Sequence, residues 1–334
     1  MEALPRAADS NAAQRAQKFL CAITDLHGRL LEIDVENASV EDPSPGGLSQ
    51  ALEQRAAFRP VAIGPLYPSI ERGLHADTVA THALGGNVRT ACTAHVVASD
   101  GLVTDVLDVP TDSVSAQLEH VLQVGDPTAA KVSAIGHPAT VERVFALLDD
   151  HFENAPLVLD LTLSGPSGED LSGPQVLDAF AERYAQADLV TLRRTDAERA
   201  AGMAIPSLDD AQVALQRLES LGASPLLMRC GRLPTHHFDL DSEPPPYAVD
   251  LFYDGDDFAL FEAPHLERPH LRGASSALLV SLLKFLGDSD FEESLQQAKA
   301  FTTESLRHAS EDALSPDYAW LPSPDSPSSS DAPG

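Results

Sequence analysis

Short, nearly unbroken apolar runs alternate along this chain with stretches whose apolar residues recur every three to four positions. The runs Pro60-Val61-Ala62-Ile63, Val88 to Val97, Ala130 to Ala134, Pro156 to Leu161, Leu189-Val190-Thr191 and Pro225 to Met228 predict strands. Their continuous hydrophobicity is that of parallel strands covered on both faces. The periodic stretches Ser113 to Val124, Pro138 to His151, Gly173 to Tyr184, Leu208 to Leu221 and Ala277 to Leu286 predict helices. Strand and helix in repeated alternation predict an α/β fold with helices on both faces of a mostly parallel sheet. The segment Ala248 to Glu262 breaks the pattern. Two strand-like runs flank Asp254-Gly255, the signature of a hairpin at a sheet edge.

Outside this alternating block the pattern weakens. Residues 1–57 are predicted to form a partly ordered extension with one strand candidate, Leu30 to Val35, before a Pro- and Gly-rich loop. Residues 58–312 form the α/β domain. Residues 313–334 are rich in Ser, Pro and Asp, too polar to bury a core, and read as a disordered tail. The tandem prolines Pro244-Pro245-Pro246 read as a stiff linker before the hairpin.

Composition narrows the setting. The 334 residues carry 51 acidic side chains against 22 basic ones, a formal charge of -29, and include only four lysines. Acid spread along the whole chain suits a protein of molar salt, where screening removes self-repulsion; an ordinary acidic cytosolic protein is the alternative. With no basic stripe to neutralise phosphates, nucleic-acid binding is disfavoured. Cys21, Cys92 and Cys230 are widely spaced and form no CxxC pair, so they read as reduced thiols. The expected location is the cytoplasm of a high-salt organism, with no signal peptide and no membrane span.

The candidate chemistry lies mostly at the ends of the predicted strands. Arg272-Gly273-Ala274-Ser275-Ser276 is a small-residue turn feeding an apolar helix. Such a turn builds an anion hole from backbone N–H groups and the helix dipole, or it is a plain helix cap. Asp160 is either a metal- or phosphate-side group or a strand-end turn residue. Lys131 is a ligand contact or a satisfied strand-end lysine. Arg193-Arg194 faces a phosphate or solvates a turn. His75 and His95 lie near a pocket or serve structure alone. His236-His237 has no further ligand at metal spacing, so no metal site is assigned.

Taken in order, several segments resemble the hydroxymethylpyrimidine/phosphomethylpyrimidine kinases of thiamine biosynthesis, in the ribokinase-like superfamily. Gly73-Leu74-His75-Ala76-Asp77 is similar to the family's Gly-Ile-Gln-Ala-Asp helix start. Leu84-Gly85-Gly86, Thr90 to Ala94, and Pro110 to Leu118 follow at the matching places. Lys131 falls in the family's Val-Lys-Ile-Gly, Asp160 in Val-Leu-Asp-Pro, Val249-Asp250 to Gly255 in the hairpin, and Gly273 to Ser276 in Gly-Thr-Gly-Cys. The resemblance covers residues 59–309. It implies a ribokinase-like three-layer α/β/α sandwich, use of ATP and Mg²⁺ if active, a small-molecule or nucleotide ligand, and a homodimer.

At the positions of chemistry the chain departs from that pattern. Where the family has Gly-Ser-Asp-Pro-Ser-Gly-Gly-Ala-Gly, this chain has Pro65-Leu66-Tyr67-Pro68-Ser69-Ile70-Glu71-Arg72-Gly73. The resemblance puts Tyr67, His75, His95 and Lys131 on the substrate side, with His95 replacing a glutamine. It puts Asp160, Arg193, Asp196 and Arg229 on the nucleotide and phosphate side. Arg193 stands for a family asparagine, Arg229 for a lysine and Pro166 for a phosphate-contacting lysine. The anion hole falls on Gly273, Ala274 and Ser275, and Ser276 takes the place of the catalytic cysteine. Serine is no general base near neutral pH, a loss that typically costs ~10²–10⁴ in rate. The expected protein is a relative of these kinases impaired in catalysis that retains ligand binding; an active kinase with a rebuilt site is the alternative.

Overall fold

A computed structural model describes residues 58–68, 72–99, 102–124, 126–152, 155–165, 168–233, 247–266, 273–286 and 291–307. All fall within one unit, residues 55–321. The extension 1–57 with its Leu30 to Val35 candidate, the tail 313–334, Pro244 to Pro246 and His236-His237 lie outside the described residues. So do Ile70, Glu71, Pro166, Ser167 and Arg272.

Nine strands form a single sheet in the order β3-β2-β1-β4-β5-β6-β7-β8-β9. The strands are β1 (Pro60–Leu66), β2 (Arg89–Ser99), β3 (Leu102–Asp108), β4 (Ala129–Val132), β5 (Leu157–Leu161), β6 (Leu189–Arg193), β7 (Leu226–Gly231), β8 (Tyr247–Tyr253) and β9 (Phe258–Pro264). From β2 through β7 the pairing is parallel; β3 on one flank and β8 and β9 on the other run antiparallel. The predicted hairpin is present. Its turn is closed by the Asp254 carboxylate, which accepts from the N–H groups of Asp256 and Asp257 and is thereby held below the usual carboxylate range.

Every residue of β4 and β5 is buried, which accounts for their unbroken apolar runs. Successive side chains divide between two cores. Leu157 and Leu159 point with Val190, Leu226 and Met228 into the larger one. It is closed by α2 (Thr111–Gln123), α3 (Pro138–Asp149), α4 (Pro174–Ala181), α5 (Arg194–Ala201) and α6 (Leu208–Glu219). Val158, Leu189 and Leu227 point the other way, against α1 (Leu74–Ala83), α7 (Ala274–Phe285) and α8 (Phe291–Arg307). The result is three layers, α/β/α, as expected. No helix among the described residues is long and apolar enough to cross a membrane.

Four elements escape the hydrophobic pattern, among them α1, whose start only the family resemblance marked. In β3 no residue is buried, so it lacks an apolar run. Helix α5 (Arg-Thr-Asp-Ala-Glu-Arg-Ala-Ala) is dominated by polar residues, and α8 interrupts its apolar positions with Glu, Gln, Lys, Ser and Thr. Helix α7 begins at Ala274, three residues before the predicted Ala277, because Gly273 at φ 79° caps it in the left-handed region that glycine tolerates.

Candidate functional site

On the face of the sheet covered by α1 and α7, four parallel strands carry charged residues at or near their carboxyl ends. Lys131 lies on β4, Asp160 on β5, Arg193 ends β6 and Arg229 lies on β7. Side chains at these positions share the parity of Ala129, Val158, Leu189 and Leu227, which pack under α7. The carboxyl ends of parallel strands are where open α/β sheets hold ligands. A cleft of about 290 Å³ opens here, lined by Lys131, Asp160, Arg193, Arg229, Tyr67 and the Gly273 to Ser276 turn.

The charges beneath the cleft form an alternating ladder. Lys131 Nζ donates to Asp77 Oδ1 on α1 at 2.6 Å and lies 3.9 Å from Asp160 Oδ2. Asp160 Oδ1 accepts from Arg229 Nη2 at 2.6 Å. The ladder joins α1, β4, β5 and β7, and none of its side chains is more than 10% exposed. At its outer end the pairing is incomplete. Nε and Nη1 of Arg229 are buried and find no acceptor among the described residues. Unmade donors on a buried guanidinium are costly, and an anion in the cleft would remove that cost.

The start of α7 supplies matching groups. Ala277 N–H bonds to the Gly273 carbonyl at 2.8 Å, which leaves the N–H groups of Ala274, Ser275 and Ser276 outside the helical pattern. Gly273 offers no side chain to cap them, and these residues line the cleft. The helix dipole adds partial positive charge at the same place. Ser276 itself is buried.

A second network shapes the loop after β5. Asp196, wholly buried in the first turn of α5, accepts from the N–H groups of Leu163 and Ser164, each at 3.1 Å. Its other oxygen accepts from Arg193 Nε at 2.8 Å, while Arg193 Nη2 donates to the Ser164 carbonyl at 2.6 Å. Arg199 adds bonds to the Leu163 carbonyl, Ser164 Oγ and the Ser172 carbonyl. Asp196 therefore sits behind the cleft wall and fixes Arg193 in it.

Tyr67 and the Gly73 turn also line the cleft. Gly73 caps α1 at φ 54°, and a Cβ there would stand 2.1 Å from the Pro65 carbonyl oxygen. Burial raises the Tyr67 phenol above its ordinary range. His75 and His95 are exposed on α1 and β2 and do not line the cleft.

A second cavity of about 370 Å³ adjoins the first across a shared wall of Arg193, Arg229, Ala274 and Ser275. Its far side carries the ion pair of Lys299 Nζ with Asp250 Oδ2, at 2.6 Å. Among the described residues no three His, Cys, Asp or Glu side chains cluster to hold a metal ion. The Cys230 thiol is pushed up to about 12 by burial and offers no thiolate.

The sequence had singled out Lys131, Asp160, Arg193, Arg229 and the Gly273 turn separately, and they meet in one cleft. Asp77 and Arg199 had been given no role. Their partners lie 54 and 36 positions away, and only an unexplained buried charge could have flagged them.

The sequence profile of the phosphomethylpyrimidine kinase family matches residues 70–314. The chain is 28% identical to the hydroxymethylpyrimidine/phosphomethylpyrimidine kinase of Aquifex aeolicus over 222 residues, which cover 65% of this chain and 82% of that one. It is 27% identical to the enzyme of the same name from Haemophilus influenzae over 239 residues, 71% of this chain and 86% of that one. Among solved structures, phosphomethylpyrimidine kinase from Clostridium difficile 630 superposes with a TM-score of 0.61 at 22% identity, covering 74% of this chain and 99% of that chain. Pyridoxal kinase from Staphylococcus aureus, in complex with AMP-PCP and pyridoxal, gives a TM-score of 0.65 at 22% identity over 76% and 90% of the two chains. The fold is ribokinase-like, and the chain belongs to the phosphomethylpyrimidine kinase family.

Proposed function

We propose that this family member binds phosphate-bearing small molecules, a nucleotide first among them, and is impaired in phosphoryl transfer. The observation that carries the reading is the guanidinium of Arg229, nine-tenths buried beside the start of α7 with two donors unmet. A phosphate there accepts from Arg229 and from the free N–H groups of Ala274 to Ser276 together. The adjoining second cavity offers room for the rest of a nucleotide such as ATP.

Impairment follows from what surrounds the phosphate. Transfer of a phosphoryl group depends on positioning and charge, then on a group that takes the acceptor's proton. Among the described residues lining the cleft, Asp160 is the sole carboxylate, and Arg229 and Lys131 engage it. Where the family resemblance puts a cysteine, Ser276 has no activating partner among the described residues. A magnesium ion commonly takes a protein carboxylate along with phosphate oxygens. With Asp160 and Asp196 both ion-paired, the residues present do not fit a protein-held metal. The homodimer implied by the resemblance finds support in Val97, Leu102 and Leu107, exposed on the β2–β3 flank. A molar mass from light scattering checks it.

The deciding assay incubates the protein with ATP, Mg²⁺ and hydroxymethylpyrimidine or its monophosphate in molar KCl, with mass-spectrometric detection and an active family kinase alongside. The expected outcome is no product above the no-enzyme control, with inorganic tripolyphosphate binding by calorimetry. Phosphorylated product that disappears in Gly273→Asp would establish the active-kinase reading, which the open α7 start favours.

A further inference from the structure

Away from the second cavity the cleft is lined by Tyr67 together with Pro65, Arg72 and Gly73. Tyr67 follows β1 directly, lines the first cavity but not the second, and is 5% exposed. Its ring packs on Val96 and Ala98, with Val103 and Val106 against the same cluster. On another side it meets the Gly73 turn, where an added Cβ would stand 3.2 Å from Tyr67 Cδ2. The ring is held between β2 and the Gly73 turn.

An aromatic residue that stacks on a ligand ring must present an open face to the empty site. At 5% exposure Tyr67 presents little of its ring. It acts as a wall. The remaining space, about 290 Å³, lies at the lower limit of small-molecule pockets, roughly 300 Å³, and its lining is rich in cations rather than apolar groups.

We infer that Tyr67 determines the specificity of the cleft: its buried ring walls the side away from the second cavity, so the site takes compact anions and the phosphate chain of a nucleotide and excludes a planar heteroaromatic alcohol. This rests on the reading of the cleft as an anion site. It adds the class of ligand admitted and names the residue that sets it.

The test measures two affinities by calorimetry, for inorganic tripolyphosphate and for hydroxymethylpyrimidine, in the natural protein, Tyr67→Ala and Tyr67→Phe. Near-UV circular dichroism and melting confirm folding. Tyr67→Val, which keeps part of the contact with Val96 and Ala98, stands in if the alanine variant melts early. The natural protein should bind tripolyphosphate and give no heat with the pyrimidine. Truncation to Ala or Val should raise the ratio of pyrimidine to tripolyphosphate affinity at least about tenfold, and Tyr67→Phe, which keeps the bulk, should leave it unchanged. Pyrimidine binding by the natural protein, no gain on truncation, or an equal gain in Tyr67→Phe would each overturn the inference. Pyrimidine gained on truncation with tripolyphosphate bound by no variant would sink the anion reading and leave Tyr67 as the barrier.

Discussion

Across the whole chain 51 acidic residues stand against 22 basic ones, whereas the cleft wall carries Arg72, Lys131, Arg193 and Arg229 against Asp160. The two regions also pair their charges differently. A surface pair such as Arg143–Glu119 spans 2.6 Å with both side chains more than 40% exposed, where water and salt weaken it. The Lys131–Asp77 pair spans the same 2.6 Å almost wholly buried, where losing one partner strands the other. Equal distances therefore mean unequal energies. Charge on the shell is a collective property that salt adjusts, while charge in the cleft belongs to particular partners.

The largest effect that can break this contrast comes from removing the centre of the ladder. Lys131→Met leaves Asp77 and Asp160 buried without their shared cation, a loss of about 3–5 kcal/mol. For a domain of this size that lowers the melting temperature by more than about 6 °C by scanning calorimetry. A melting point within a degree of the natural protein would show that the ladder carries no coupling.

Arg229→Gln comes next, since it removes the unmet donors along with the tie to Asp160. Charge-assisted hydrogen bonds contribute about 1.5–3 kcal/mol, so tripolyphosphate affinity by calorimetry falls roughly tenfold to a hundredfold. An unchanged affinity would place the anion elsewhere.

Salt separates the regions without any substitution. Raising KCl from 0.1 M to 1 M shortens the screening length from about 10 Å to about 3 Å. The melting temperature should climb, because the acidic shell repels itself less, while tripolyphosphate affinity falls. Two trends of the same sign would dissolve the distinction. The smallest effect is expected from Arg199→Ala, which loosens the loop after β5. Hydrogen exchange at Leu163 and Ser164 rises, with melting lowered by only a few degrees.

The core of this architecture was legible because continuous apolar runs mark strands buried on both faces, as Leu157 to Leu161 illustrates. β3 was not, since a solvated flank strand has no apolar run, nor was the polar helix α5. The site divides in the same way. Gly273 and its neighbours announce a helix start by local composition alone. The Asp77–Lys131 pair depends on residues brought together from α1 and β4, and local spacing holds no trace of it. The resemblance placed both residues in motifs without joining them. Tyr67 showed its bulk in the sequence, but that the bulk is buried depends on Val96, Ala98 and the Gly73 turn.

The ladder also constrains how this protein can change over generations. Asp77, Lys131, Asp160 and Arg229 are mutually dependent, so a lineage that replaces one meets a folding defect before any partner can follow. Such positions are held by folding whatever the cleft does, because the path away from them requires paired replacements. A lysine and two aspartates at these positions in a relative therefore testify to an inherited scaffold and leave its turnover to be measured.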